Sequence, residues 1–194
     1  MYAYRLMIVF RAGARACWLT LLLCAVHAVA FAQPVADTVL ERRVKAAFVY
    51  KFPGFVEWPG LVFARDDSPL NFTVVGDDAL AEELEQLVGR RTAGGRPMTV
   101  RRLREVEPMP DTHILFIAHP AYPRMAQLVE WARARPVLIV TESDGALLRG
   151  SIINFVLSEG RVRFEIALDA AEKRGLKLNS RLLAVALRVR PGAR

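Results

Sequence analysis

Two short runs, HILFIA (113–118) and PVLIVTE (136–142), constrain this chain most. Each is apolar at successive positions, as expected of a strand buried on both faces. Such strands require a largely parallel sheet with helices packed on each side. LNFTVVG (70–76), β-branched and aromatic, reads as a third strand, and Arg96 to Leu103 as a fourth. Helical spacing fills the intervals. ADTVLERRVKAAFVYK (36–51) aligns Leu40, Val44, Ala47 and Phe48, with Asp37 as the expected N-cap. DDALAEELEQLVG opens on acids and ends at Gly89, and Met125, Leu128, Val129 and Ala132 mark another helix. SIINFVLSEGRVRFEIAL (151–168) reads as two strands turning at Ser158-Glu159-Gly160. Leu176, Leu178, Leu182, Leu183, Ala186 and Leu187 are expected on one last helix. The expected fold class is α/β: a single three-layer domain over residues 33–194. Its mixed, mainly parallel sheet carries helices on both faces and a C-terminal β-hairpin at one edge.

Residues 1–32 read as a cleavable signal peptide. Arg5, Arg11 and Arg15 form a positive start, and Ala16 to Val29 is free of charge. Ala30-Phe31-Ala32 gives the small-x-small pattern before Gln33, and Ala28-Val29-Ala30 offers a second cut site. The apolar run falls short of the roughly 18 residues that span a bilayer core. Leu23 before Cys24 is wrong for a lipoprotein, and adjacent arginines for a twin-arginine signal are absent from this segment. Both cysteines, Cys17 and Cys24, lie within it, so the processed chain has no thiol and relies on its hydrophobic core. The expected location is the periplasm.

Removing those three arginines and no acid lowers the formal charge from +7 to +4. The densest basic stretch, Arg90, Arg91, Arg96, Arg101, Arg102 and Arg104, contains no aromatic to stack on bases. It is expected to be a solvated, mobile loop and edge strand, with no nucleic acid as partner. A search for catalytic chemistry returns little. His113, His119 and Asp111 lack a third clustered histidine or an HExxH spacing, so no metal is expected. There is no G-x-S-x-G elbow, and Gly150-Ser151 opens a strand. Gly76-Asp77-Asp78 places carboxylates where a phosphate would sit, and no Walker lysine or G-x-G-x-x-G is present. Glu57, Glu159 and Glu165 have no spacing that pairs them. The chain is read as a non-enzyme without cofactor.

Aromatics supply the one concentrated signal. FVYKFPGFVEWPGLVF (48–63) carries Phe48, Tyr50, Phe52, Phe55, Trp58 and Phe63, broken at Pro53-Gly54 and Pro59-Gly60. Some rings are therefore expected near the surface, where aromatic anchors dominate binding. Tyr50, Phe52, Phe55 and Trp58 are the expected partner-binding residues. The alternative is a periplasmic small-molecule receptor, with a ligand enclosed between this segment and the Phe155 to Phe164 hairpin.

VKAAFVYKFPGFVEWP (44–59) resembles the helix and "F-x-x-F-x-x-W-P" opening of the YfiR family. GSIINFVLSEGRVRFEIALDAAEKRGLKLNSRLLAVA (150–186) is similar to that family's closing pattern of "I-N-F", a turn, "V-R-F-E-I", a helix and "S-x-L-L-x-x-A". The resemblance implies a periplasmic protein that represses a membrane diguanylate cyclase by binding its periplasmic sensor part, lowering cyclic-di-GMP and biofilm formation. The implied partner is that inner-membrane protein, a diguanylate cyclase or a sensor kinase; homodimer formation is left open. Ala167 stands where the family usually has Asn, and Asn179 where it has a second serine or similar residue. The disulfides of the best-understood member have no counterpart, so cysteine-based redox control does not carry over.

Processing near Ala32 is directly measurable: mass spectrometry of the periplasmic fraction is expected to find a chain beginning at Gln33 or Phe31. Recovery of intact residues 1–32 would refute it.

Overall fold

In chain order the elements are α1 (Gln33–Lys51), β1 (Val56–Glu57), β2 (Leu70–Val75), α2 (Asp78–Val88), β3 (Thr92–Ala93), β4 (Arg96–Arg102) and β5 (Ile114–Ile117). They continue with α3 (Met125–Trp131), β6 (Leu138–Thr141), β7 (Ile153–Ser158), β8 (Arg161–Ala167), α4 (Leu168–Glu172), β9 (Lys177–Leu178), α5 (Ser180–Val185) and β10 (Arg188–Arg190). This computed structural model describes residues 33–89, 91–104, 109 and 111–192. The signal peptide expected over 1–32 lies outside them. The chain divides into two units, Met1–Leu40 and Glu41–Arg194. In the first, the described residues are helical from Gln33; the sheet and its packing belong to the second. Among the described residues, no helix is long and apolar enough to cross a membrane.

The predicted buried strands form the middle of the sheet, and their pleat sorts the core into two halves. Ile114, Phe116, Leu138 and Val140 enter one hydrophobic cluster, while Leu115, Ile117 and Ile139 enter the other. α1 and α2 pack on the first face through Ala46, Val49, Leu80 and Leu84; α3 covers the second through Met125 and Leu128. Among the described residues the main sheet has eight strands in the order β10-β8-β7-β6-β5-β2-β4-β3. β4, β2, β5, β6 and β7 run parallel, and β8 returns antiparallel to β7 with Phe155 opposite Phe164. The small antiparallel pair β1-β9 sets Val56 opposite Leu178.

Four local expectations are corrected. α1 is already helical at Gln33, so Asp37 lies inside it and does not cap it. Its most buried residues are Ala46 and Val49, while Leu40 is 63% exposed. Within the second unit the buried stripe of α1 follows the sheet and the phenylalanines of the closing hairpin. The hairpin is not the edge of the sheet, because β10 adds parallel to β8 with Val189 opposite Ile166. The single closing helix expected over Leu176 to Leu187 is instead β9 and α5. Asn179 restarts the helix by accepting from the Arg181 N–H at 2.8 Å, and Leu178 is extended against β1. The arginine stretch is also less free than expected: Arg102 reaches Glu82 at 3.4 Å and Glu85 at 3.0 Å. Arg90 lies outside the described residues.

Asn154, 4% exposed on β7, joins β7 to β6. Its Oδ1 accepts from Thr141 Oγ1 at 2.7 Å and from the Ser143 N–H at 3.1 Å. Asn154→Ala would strand the Ser143 N–H and leave Thr141 Oγ1 to Ser151 Oγ at 2.8 Å, so it is expected to cost about 1–3 kcal/mol, read as a lower denaturant midpoint. An unchanged midpoint would show that the amide is dispensable.

Candidate partner-binding site

The expected site residues separate by depth. α1 ends at Lys51 and the chain tightens into a 3-10 turn over Phe52–Phe55, where Pro53 supplies a fixed φ. Phe52 therefore stays on the helical stripe, one turn beyond Phe48, with ring centroids 6.3 Å apart. It lies 6.0 Å from Phe155 and meets Phe164 edge-on at 5.5 Å. At 1% exposure it is core, which corrects the expectation of a surface ring. Phe48, Phe52, Phe155 and Phe164 meet directly, so the helix and the hairpin interlock where the receptor alternative placed a ligand.

Tyr50, Phe55 and Trp58 remain half-buried and reachable. The Arg91 guanidinium lies 5.7 Å from the centre of the Tyr50 ring. Phe55 holds its turn through its carbonyl, which accepts from the Asn179 N–H at 2.9 Å. Trp58 packs edge-on against Phe63 at 6.4 Å, and its enclosed Nε1–H has no acceptor among the described residues. Trp58 and Phe63 line an open cleft of about 310 Å³ floored by Val56 and Leu70, with Arg96 at its side.

A three-layer stack braces that cleft. The Arg96 guanidinium covers Phe63 at 3.9 Å, and the His113 ring lies parallel to Phe63 at 4.6 Å. Arg96 Nη1 also donates to the carbonyls of Arg65 and Asp66 at 2.7 and 2.8 Å, tying the loop after Phe63 to β4. His113 is buried, and its Nδ1 accepts from the Asn71 N–H at 3.1 Å. Burial pushes its pKa below the usual histidine value; Asp111 opposes that shift and Arg96 reinforces it.

A second polar cluster stands where β5 and β6 end. Lys45 pairs with Glu142 at 2.6 Å and with Glu41 at 2.5 Å. Burial alone would lower the Lys45 pKa, but the hydrogen bonds to Glu142 and Glu41 outweigh it and hold it above the usual lysine value. Glu142 also accepts from the His119 N–H at 3.0 Å. Asp77 caps α2 through the Leu80 N–H at 2.9 Å and reaches Arg42 at 3.4 Å. The carboxylate the sequence placed at a would-be phosphate turn is therefore occupied as a helix cap. His113 and His119 flank β5 at opposite ends, and Asp111 contacts the Asn71 amide at 3.3 Å. Among the described residues, no three His, Cys, Asp or Glu side chains gather as metal ligands.

The model of a protein family described as YfiR/HmsC-like matches residues 42–187. No curated protein matches the chain.

A buried neutral histidine has a defined acid response. Because its pKa is depressed in the fold, the His113 contribution is present above about pH 6.5 and is lost as pH falls through the folded value. The denaturant midpoint is expected to fall between about pH 7.5 and pH 5, and to fall less in His113→Asn, which keeps an acceptor but does not titrate. Equal slopes for the two proteins would assign the acid sensitivity elsewhere.

Proposed function

The chain belongs to the YfiR/HmsC-like family, and on that premise we propose that it is a periplasmic regulatory protein that holds an inner-membrane diguanylate cyclase inactive by binding its periplasmic part. The family match carries the reading, since it runs from the opening helix to the end of α5. On this reading the protein acts by binding and without catalysis, and its consequence is lower cyclic-di-GMP and less biofilm.

The aromatic segment supports a location for the contact. Tyr50, Phe55 and Trp58 combine large apolar area with access, and the Trp58 cleft carries the Arg96 cation at its side. A partner side chain with an apolar body and an acceptor end suits that chemistry, because aromatic anchors in desolvated pockets concentrate binding energy. Phe52 supports the site from beneath.

The test separates binding from folding. Tyr50→Ala and Phe55→Ala are expected to lose about 2 kcal/mol or more of affinity for the cyclase's periplasmic domain, roughly thirtyfold, with melting temperatures near wild type. Phe52→Ala is expected to lose about 3–5 kcal/mol of folding stability. Trp58→Ala, which removes a ring packed on Phe63, is expected to lose stability first. If no variant separates the two quantities, recognition lies off this segment, and the stretch from Arg91 to Arg104 is the next surface to mutate.

A further inference from the structure

Arg174 is a half-buried cation without an acid. Its Nη1 donates to the Ala170 carbonyl at 3.0 Å, while its Nε is enclosed and meets no acceptor among the described residues. No ion pair among the described residues involves it. Asp169, the one acid lining the same pocket, is already engaged by Lys173 at 3.4 Å. Burial lowers the Arg174 pKa below the usual guanidinium value, yet a guanidinium remains charged in proteins. A desolvated, uncompensated charge is costly, and it is retained where something pairs with it.

The guanidinium lines a pocket of about 260 Å³ between α3, the turn at Ala146–Arg149 and α4. Arg133, Lys173 and Arg190 line the same pocket against one carboxylate, Asp169. The rest of the wall is apolar, formed by Val129, Leu147 and Leu148, and Leu148 is 77% exposed. Gly150 passes this point as bare backbone at φ +99°. A Cβ there would fall 2.8 Å from Val129 Cγ1 and 3.6 Å from Arg174 Nη2, closing the approach to the guanidinium.

We propose that this pocket binds a small organic carboxylate, its anionic end on Arg174 and its apolar body on Val129, Leu147 and Leu148. A planar fork of donors matches a carboxylate's two oxygens. An inorganic anion would leave the apolar wall unused, and a neutral apolar molecule would leave the charge unpaired. This site is distinct from the Trp58 cleft and does not depend on the partner assigned there.

Calorimetric titration of the processed protein with phenylacetate, hexanoate, benzyl alcohol and inorganic phosphate tests the proposal. Saturable binding of at least one carboxylate is expected, at least about tenfold tighter than benzyl alcohol or phosphate. Arg174→Gln is expected to weaken that binding about tenfold or more. Arg190→Gln, which keeps Arg174 in place, is expected to weaken it severalfold and provides the reading if Arg174→Gln fails to fold. Phosphate binding as tightly as the carboxylates would reduce the pocket to a simple anion site and overturn the proposal. So would no saturation by either carboxylate, or unchanged affinity in the variants.

Discussion

The block of Phe48, Phe52, Phe155 and Phe164 is the contact on which the rest of this structure depends. Ring centroids 5.4 to 6.0 Å apart join the opening helix to the closing hairpin across the face of the sheet. Geometry of this kind adds to the area it buries, because offset and edge-on rings are mutually attractive. It also decides which aromatics remain for recognition. Phe52 belongs to the block and is enclosed, so Tyr50 and Phe55 on either side of it are left at the surface.

Polar contacts set the register of the same assembly. Asn154 fixes β7 beside β6, and Glu142 links α1 through Lys45 to the end of β5 through the His119 backbone. Asn154 takes two donors from the end of β6, and Glu142 takes donors from two different elements, so these contacts specify geometry more than they add net stability. Asn179 caps α5 through its side chain, a role that a serine at a helix start also fills. Ala167, fully buried, keeps its backbone bond to the Ile152 carbonyl at 2.8 Å.

What could be read in advance follows from the range of the forces involved. HILFIA and PVLIVTE were legible because burial on both faces is written into consecutive side chains. The hairpin was legible because Ser158-Glu159-Gly160 is a local turn signal, and Glu159 and Gly160 do adopt positive φ. The closing segment was not: Leu176, Leu178, Leu182 and Leu183 fit a helix, and only the pairing of Leu178 with distant Val56 shows that β9 is extended. Phe52 was misplaced for the same reason, since its surroundings come from β7 and β8. Arg174 gave no signal at all, because the absence of an acid partner is a property of the packed chain. The Tyr50, Phe55 and Trp58 surface was half legible: the proline-glycine breaks pointed to exposure without saying which rings the sheet would claim.

The phenylalanine block has a consequence for the order of events in synthesis. Its members come from near the two ends of the domain, and the Lys45–Glu142 pair that braces the same helix already spans 97 positions. Closing loops of that length must precede any gain from the contacts they bring together. A chain still lacking Phe155 and Phe164 has nowhere to bury Phe48 and Phe52, however well its central strands have formed. The first helix therefore waits, apolar face open, until the last strands emerge, and native packing of this domain is the state of a finished polypeptide.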